Sequence, residues 1–213
     1  MSAELTAPIM GINRHRLTTD GVGVTSLVAF HGCPLRCKYC FNNQCHDPNF
    51  KVKFVTPKQL VEQLDVDNLY FLATGGGVCF GGGEPLLYSE FIDEFCRVKP
   101  QQWKVTIETS LAVPRANLEL VVPHIYQYLI DVKDCNPDIY QRYTGSDNTQ
   151  MLENLRWLLS QEGMAEIIIV RLPLIPNFNT PDDRQRSRAL LTKMGAIHFD
   201  EFNYKTHHKA CID

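Results

Sequence analysis

The stretch FHGCPLRCKYCFNNQCHD, residues 30–47, decides both the fold and the chemistry of this 213-residue chain. It follows TSLVAF at residues 25–30, an apolar and β-branched run that predicts a strand leading directly into a loop. The loop carries Cys33, Cys37 and Cys40 with the spacing C-x3-C-x2-C. Thiols this close together at the end of a strand indicate a metal site.

The composition is that of an ordinary globular protein. Hydrophobic residues make up 44% of the chain, charged residues make up 21%, and the formal net charge is −3. This charge gives no support to a general nucleic-acid or membrane-surface role. The sequence has no apolar run of roughly 18 residues, and residues 1–21 lack the pattern of a secretory signal. We therefore expect a cytoplasmic protein that binds neither nucleic acid nor membrane.

Short apolar strands alternate with helical patterns along the chain. The predicted elements are a strand at 25–30, a helix at 56–64 capped by Thr56 with proline at its first position, strand-like runs at both ends of 68–85, a helix at 88–98 capped by Ser89, strands at 104–109 and 126–134, a helix at 148–163, a strand at 166–174, a capped helix at 180–195 and a strand at 197–204. This alternation is typical of parallel βαβ units. We expect a single α/β domain over residues 1–213, built as a partial (β/α)6 barrel with an open parallel sheet.

Several stretches that carry reactive groups begin at predicted strand ends. Besides the cysteine loop, these are FGGGEP at 80–85, IETS at 107–110, DVKD at 131–134 and RLPLIP at 171–176. Ligands of parallel α/β folds bind at the carboxyl ends of the strands. The shared placement therefore predicts one composite site.

The cysteine spacing has two metal-binding interpretations. Iron–sulfur clusters are held by cysteine thiolates, usually four, so three cysteines would leave one iron of a cubane open to another ligand. A structural zinc site would need a fourth ligand such as Cys45, His31 or His46, although these sites usually pair two C-x2-C knuckles. The remaining cysteines are predicted to be small buried hydrophobes, and they are Cys45, Cys79, Cys96, Cys135 and Cys211.

The glycine run in FGGGEP predicts a close approach of the backbone to a ligand, with amide groups free to bind it. The carboxylate of Glu84 could accept a hydrogen bond from an ammonium group. A plain glycine-rich turn is the alternative interpretation when this stretch is taken alone.

These motifs together resemble those of a known family. The C-x3-C-x2-C spacing, the aromatic Tyr39 before the last cysteine and the GGE-type loop on the next unit resemble the radical S-adenosylmethionine (SAM) superfamily. Within it, the chain is similar to the glycyl-radical-enzyme activating enzymes over most of residues 18–205. The stretches that carry this similarity are TTDGVGVTSLVAFHGCPLRCKYCFN, VTPKQLVEQL, GGGVCFGGGEPLLYSEFIDEF, IDVKDCNPDIYQRYTG and the strand that contains Arg171.

The resemblance implies a site for a [4Fe-4S] cluster and SAM. Cys33, Cys37 and Cys40 would ligate the cluster, and its open iron would be chelated by SAM. The residues implied to contact SAM are Gly82, Gly83 and Glu84 at the methionine amino group, the backbone around Tyr39 and Phe41 at the adenine, and Asp131, Val132 and Lys133 at the carboxylate. Only a short stretch separates Cys40 from Gly81, so no ferredoxin-like insert and a single cluster are expected.

Lys133 and the nearby acidic groups have further roles by resemblance. Lys133 would face the SAM carboxylate, a pairing that suits a compact ammonium charge, and its alternative is a solvated surface lysine. Glu108, Thr109 and Asp131 occupy positions where family members can hold a monovalent cation near SAM.

The implied activity is reductive cleavage of SAM and abstraction of a hydrogen from a backbone glycine of a partner enzyme. The partners would be a glycyl radical enzyme as protein substrate and a flavodoxin- or ferredoxin-type electron donor, under anaerobic conditions. The entrance segment departs from the family's D-G-P-G-I-R pattern, because it runs from Asp20 to Thr25 without an arginine. This departure favours a second hypothesis, a radical SAM enzyme with a small-molecule or peptide substrate. The family's histidine after a tyrosine is also absent, since Tyr204 precedes Lys205, with His207 and His208 beyond.

Overall fold

Eight strands form one sheet in the computed structural model of the chain, which describes residues 4–17 and 19–204. The strands are β1 (Ala7–Leu17), β2 (Val24–Phe30), β3 (Lys53–Val55), β4 (Gly77–Gly82), β5 (Lys104–Thr109), β6 (Gln127–Asp131), β7 (Ile168–Leu174) and β8 (His198–Asn203). Their order is β3-β1-β2-β4-β5-β6-β7-β8. From β2 to β8 all neighbours pair in parallel, whereas β1 is antiparallel to both β2 and β3. The predicted α/β class with an open, mainly parallel sheet is confirmed.

Helices connect the parallel strands. They are α1 (Pro57–Leu64), α2 (Asn68–Thr74), α3 (Ser89–Val98), α4 (Arg115–Val121), α5 (Pro137–Thr144), α6 (Thr149–Leu159), α7 (Met164–Ile167) and α8 (Pro181–Lys193). In the part of the chain that the structure describes, none of them combines the length and the apolar character needed to cross a bilayer.

Local sequence explains where two of these helices begin. The Thr56 hydroxyl accepts the backbone N–H of Gln59, whose side chain bonds back to the backbone of Thr56. Thr180 and Asp183 form the same reciprocal pair at the start of α8. Each helix has proline at its first position, where the missing N–H costs nothing. Both predicted caps are confirmed.

Several details of the predicted secondary structure are wrong. The strand predicted at 126–134 ends at residue 131, and residues 166–167 of the strand predicted at 166–174 belong to α7. The run at 68–74 was predicted as strand-like, but it forms α2, because burying Phe71 on one side leaves Leu69 and Leu72 exposed, as a surface helix does. Ser89 does not cap α3 but is its first residue, after a 3-10 turn. The helix predicted at 148–163 ends at residue 159.

The strand β1 was not predicted at all. Its residues alternate only weakly between apolar and polar types, and most of them are partly exposed. The pairing of β1 with β2 contains two register shifts, between Ile9 and Gly11 and between Asn13 and Arg16. Such irregularities blur the two-residue period on which strand prediction depends.

The two faces of the sheet differ in character. Successive residues of a strand point to opposite faces. One face is apolar and fully buried in the same core as the helices, and it includes Val28, Phe80, Ile107, Ile130 and Val170. The opposite face carries the alternate positions, which include the small Ala29 and the charged Glu108, Asp131 and Arg171. This second face is where a ligand can be enclosed.

The turn after β4 lies directly against the start of the cysteine loop. The N–H of Gly83 donates to the carbonyl of Phe30 at 2.8 Å, and the N–H of Glu84 donates to the carbonyl of Gly32 at 2.8 Å. A Cβ on Gly83 would lie 2.0 Å from the carbonyl oxygen of Gly32. Only glycine permits this contact between the two backbones.

Gly83→Ala should therefore destabilise the fold strongly. The added methyl group would collide with backbone atoms that cannot move aside independently, so we expect a loss of about 3 kcal/mol in the free energy of unfolding, at the upper end for overpacking. Gly163→Ala is the matched control, because a Cβ there meets nothing within 4 Å, although its φ of 73° costs about 1–2 kcal/mol. Urea denaturation measures both. An equal or smaller loss for Gly83→Ala would contradict the close packing of the turn.

Candidate active site

A cavity of about 660 Å³ runs along the polar face of the sheet to the carboxyl ends of the parallel strands. This volume is typical of small-molecule sites. Most of the residues predicted from sequence line it, namely Cys33, Cys37, Cys40, Phe41, Gly82, Gly83, Glu84, Glu108, Thr109, Asp131 and Lys133. The composite site predicted from the strand ends is therefore brought together by the fold. Tyr39 and Val132 are not among the lining residues, and Val132 is fully buried in the core.

The cysteine loop is fixed by backbone hydrogen bonds. The N–H groups of Arg36 and Lys38 donate to the carbonyls of Thr144 and Tyr143, at 2.7 and 3.0 Å. These carbonyls belong to the last turn of α5, which has no helical partners for them. The loop thus completes the end of α5, and α5 holds the loop at a defined place beside the cavity.

The three loop cysteines are half-buried and differ in acidity. Burial raises the pKa of Cys33 to about 12 and that of Cys37 to about 11. A hydrogen bond from the thiol of Cys45 lowers the pKa of Cys40 to about 6. Metals bind the thiolate form, so Cys33 and Cys37, whose pKa values are raised, would release protons when a metal binds.

The donor set fits an iron–sulfur cluster better than a single zinc ion. Within residues 4–17 and 19–204, no three Cys, His, Asp or Glu side chains are placed to hold one metal ion. Of the proposed fourth zinc ligands, Cys45 is buried and does not line the cavity, and His31 Nε2 lies 3.0 Å from the carbonyl of Asp47. Only the buried Nε2 of His46 has no partner there. Thiolates that ligate a cubane need not converge on one point, because each binds a different iron.

Glu84 has a different place from the one expected. Its Oε1 accepts the hydroxyl of Thr109 at 2.7 Å and the N–H of Leu86 at 3.2 Å. Its Oε2 accepts the N–H and the hydroxyl of Ser110, at 2.9 and 2.6 Å. A carboxylate has about four acceptor sites, so none is left for an ammonium group. The side chain braces the glycine-rich turn against the end of β5, while Gly82 and Gly83 line the cavity.

Two carboxylates in the cavity are paired with two protein cations. Asp131 accepts Arg171 Nε at 2.7 Å through one oxygen and Lys133 Nζ at 2.9 Å through the other. Glu108 accepts Arg171 Nη1 at 2.8 Å. Sequence reasoning named Arg171 only as part of a similar strand and missed these pairs. Asp131 and Arg171 are direct partners in the β6–β7 ladder, so a correct parallel register would have revealed them.

The pKa values of these groups reflect the pairing. Burial acts to raise the pKa of Asp131, but the charges of Arg171 and Lys133 outweigh it and hold that pKa well below its usual range. Burial acts to lower the pKa of Lys133, but Asp131 outweighs it and raises that pKa. For Glu108, burial dominates and raises the pKa despite Arg171. Lys133 is therefore a buried, permanently charged ammonium group on the cavity wall, and its alternative as a solvated surface lysine is wrong.

The side chains expected to hold a monovalent cation do not point toward one common position. Glu108 and Asp131 are joined through Arg171, whereas the Thr109 hydroxyl donates to Glu84. The guanidinium of Arg171 stands where a bound cation was expected to balance the two carboxylates. The cation remains a prediction.

Aromatic residues form one end of the cavity. The rings of Phe41 and Tyr204 stack with centroids 5.1 Å apart and an angle of 4°, and Tyr204 Oη donates to the carbonyl of Tyr39 at 2.8 Å. Lys133 Nζ lies 6.0 Å from the centre of the Tyr204 ring. Tyr204 thus joins the residues predicted for adenine. Lys205, His207, His208 and Cys211 lie outside the described residues.

The entrance segment has an arginine on the neighbouring strand. Thr25, which stands where the family pattern has arginine, is buried, and its hydroxyl has no partner among the described residues. Arg16 on β1 pairs directly with Thr25 in the ladder and lines the cavity, where it is hydrogen-bonded to Asp20. Sequence reasoning could not find Arg16, because β1 itself was not predicted.

The other cysteines follow their expected role only in part. Cys45 and Cys79 are buried, as predicted, whereas Cys96 and Cys135 are partly exposed. None of these four lines the cavity.

The sequence matches a known protein family and is similar to those of several named proteins. The family model of the Radical SAM superfamily matches residues 27–188. The chain is 32% identical over 181 residues to the indoleacetate decarboxylase activating enzyme of Tractidigestivibacter scatoligenes, covering 82% of this chain and 56% of that protein. It is 30% identical over 173 residues to the pyruvate formate-lyase-activating enzyme of Staphylococcus aureus, covering 78% of this chain and 68% of that protein. The chain thus spans little more than half the length of the first of these relatives.

The fold has a solved counterpart. The crystal structure of Streptococcus suis SuiB bound to S-adenosylmethionine superposes with a TM-score of 0.62 at 15% sequence identity, covering 84% of this chain and 42% of that one. At this identity the likeness concerns the fold alone. The family match covers most of the chain and includes the cysteine loop, so the resemblance inferred from the motifs is confirmed. The chain belongs to the radical SAM superfamily, whose members use a [4Fe-4S] cluster and SAM.

Proposed function

We propose that this protein cleaves SAM reductively at a [4Fe-4S] cluster and generates a glycyl radical on a partner enzyme. The observation that carries the proposal is the placement of three cysteine thiols from one loop on the same cavity as the buried ammonium of Lys133. The names of the relatives point the same way, because both relatives described above are activating enzymes.

The chain would hold the cluster through Cys33, Cys37 and Cys40. Their loop is positioned by α5 and by the glycine-rich turn, so little backbone ordering would be needed when the cluster binds. When bound together and supplied with one electron by a donor, the cluster and SAM would provide the radical chemistry needed to remove a hydrogen atom from a backbone glycine of the partner, with methionine as the leaving group. The protein's own task is to bind, orient and shield these groups.

Lys133 would orient SAM through its carboxylate. The ammonium group has three donors, and one of them is used by Asp131. Asp131 is itself held by Arg171, so the direction of the lysine side chain is fixed. Val132 lies between Asp131 and Lys133 in the sequence, and its side chain is buried in the core on the opposite face. This burial directs the side chains of Asp131 and Lys133 toward the cavity.

The aromatic end of the cavity would take the adenine. Phe41 and Tyr204 present a stacked pair of rings there, and the carbonyl of Tyr39 is tied to Tyr204. Apolar rings exclude water from the reacting centre, which protects a radical from side reactions. Gly82 and Gly83 would let the backbone approach the methionine end.

The partner would enter along the polar face of the open sheet. The cavity extends from the cysteine loop to Arg16 and Asp20 on the entrance side, a span that suits a loop of another protein. The segment between Cys40 and Gly81 folds into β3, α1 and α2. We infer one domain with one cluster, a flavodoxin- or ferredoxin-type electron donor and an anaerobic cytoplasmic setting.

A small-molecule or peptide substrate is the second candidate. The observation that favours it is Thr25, which replaces the arginine of the family's entrance pattern and does not reach the cavity. Arg16 on the adjacent strand places a guanidinium on the same wall of the cavity. This wall therefore keeps a positive group even though Thr25 replaces the arginine of the family pattern.

The proposed activity is tested by electron paramagnetic resonance under anaerobic conditions. Reconstituted protein, SAM, a reductant and a glycyl radical enzyme encoded near this gene should give a glycyl doublet on the partner. A partner with its radical glycine changed to alanine is the control and should give no doublet. If no such partner gives the signal while a small molecule stimulates SAM cleavage, the second candidate replaces the first.

Lys133→Met should weaken SAM binding. The substitution removes a charged hydrogen bond of the kind worth about 1.5–3 kcal/mol, so the dissociation constant should rise about tenfold or more, while cluster content stays the same. Lys104→Met is the matched control, because Lys104 begins β5 and its ammonium lies over the ring of Tyr126 outside the cavity. Equilibrium binding to the reconstituted protein gives both constants. Equal dissociation constants for the two variants would remove Lys133 from the SAM site.

A further inference from the structure

The outer side of the cysteine loop carries two cations that the proposed site does not use. Arg36 and Lys38 flank Cys37 in the sequence, and both side chains are exposed. In the part of the chain that the structure describes, no ion pair or hydrogen bond joins either side chain to another residue. Neither residue lines the cavity, whereas Cys37 does. The two charges therefore face solvent directly beside a residue proposed to ligate the cluster.

Backbone contacts fix where these two side chains emerge. The N–H groups of Arg36 and Lys38 donate to consecutive carbonyls at the end of α5, those of Thr144 and Tyr143, at 2.7 and 3.0 Å. The Cβ of Arg36 lies 3.7 Å from the position that a Cβ on Gly145 would take, just after the same helix. Both residues are thus held against one helical turn, so their charges leave the same small area of the surface.

A third cation stands at this end of α5. Arg142 is exposed in the last turn of the helix, and its Nη2 donates to the carbonyl of Phe178 at 3.0 Å. The ring of Phe178 lies 5.7 Å from that of Tyr39, the residue after Lys38, so Arg142 borders the same loop. We call Arg36, Lys38 and Arg142 the basic patch.

Acidic side chains do not neutralise the basic patch. Asp138 is in the first turn of α5, at its opposite end, and Asp147 Oδ1 accepts the N–H of Thr149 where α6 begins. Cations near the end of a helix also complement its dipole, but backbone N–H groups of the loop and of Gly145 already bond carbonyls of this last turn. The basic patch therefore has charge available for a partner.

The charge of the basic patch is opposite to that of the whole chain. The formal net charge is −3, so an acidic protein is repelled by the chain as a whole and attracted to a local group of cations. Such complementarity steers and orients an encounter between proteins. An electron donor must approach the cluster closely, and the basic patch adjoins a proposed cluster ligand. The partner's glycine would come through the cavity, which leaves this outer surface free.

We propose that the basic patch is the docking surface of an acidic flavodoxin, which passes one electron to the cluster past Cys37. The inference rests on the proposed function, because the cluster is the electron acceptor. The reduced flavin loses one electron and the cluster gains it, and no proton or chemical group is transferred. Tyr39 and Phe178 are partly exposed at the border of the patch and give a planar flavin apolar rings to lie against.

The test is the rate at which reduced flavodoxin passes its electron to the reconstituted protein, measured anaerobically by stopped flow through the flavin absorbance. Arg36→Gln with Lys38→Gln keeps both backbone N–H groups and should lower the second-order rate constant about tenfold or more at low salt. Added salt should slow the wild type toward the rate of this variant. The matched control is Lys58→Gln with Arg156→Gln, which removes the same charge from exposed positions of α1 and α6 and should keep the wild-type rate.

Photoreduced deazaflavin, a small uncharged reductant, separates docking from the chemistry. SAM cleavage driven by it should be equal in the wild type and in the Arg36→Gln, Lys38→Gln variant at equal iron content. Equal slowing with flavodoxin in both double variants, or slowing of the patch variant with deazaflavin as well, would overturn the proposal. Wild-type protein that cleaves no SAM even with deazaflavin would contradict the proposed function. Wild-type cleavage with a flavodoxin rate that ignores the patch substitutions would contradict the docking surface alone.

A second measurement needs no substituted protein. A zero-length carbodiimide reagent links lysine ammonium groups to the carboxylates of a bound protein. With the wild-type chain and flavodoxin, Lys38 should be a linked residue, and the link should disappear at high salt. Links at other lysines without Lys38 would overturn the proposal even if the substituted protein failed to fold.

Discussion

The buried carboxylate of Glu84 is the interaction on which the rest of the site depends. Burying a charge is costly unless hydrogen bonds replace its water, and here Thr109, Ser110 and the backbone of Leu86 supply four. The bonds tie the turn after β4 to the end of β5. The same turn is tied to the cysteine loop through the N–H of Gly83. The glycine turn, the cysteine loop and the end of β5 are thereby fixed as one unit beside the cavity.

A second set of buried charges lies on the wall of the same cavity. Asp131 joins Arg171 and Lys133, and Arg171 also joins Glu108, so two carboxylates are balanced by two cations on adjacent parallel strands. Removing one member would leave an uncompensated charge at the cavity wall, which is more costly than the net gain from the pair. The network therefore keeps Lys133 charged and aimed, which is what recognition of a carboxylate requires.

The sequence predicted those features that depend on local chemistry. The cysteine loop, the cap at Thr56 and the alternation of strands and helices are encoded within short stretches, and the family match agrees with them. The helix at 68–74 was mistaken for a strand because its apolar residues are consecutive and show no helical period. Only the structure shows that Phe71 is the one residue of this helix that is buried. The partners of Arg171 could not be foreseen, because they depend on the register between strands far apart in sequence.

The central claim is that three cysteines, and no fourth, hold the cluster. Its most direct test is the iron and sulfide content of anaerobically reconstituted variants. The account predicts about four of each per chain for the wild type, near-complete loss for Cys40→Ala and wild-type content for Cys45→Ala, because Cys45 is buried outside the cavity. Cys79→Ala, in the core of β4, serves as the control for a lost buried thiol. Loss of iron in Cys45→Ala as complete as in Cys40→Ala would contradict the claim.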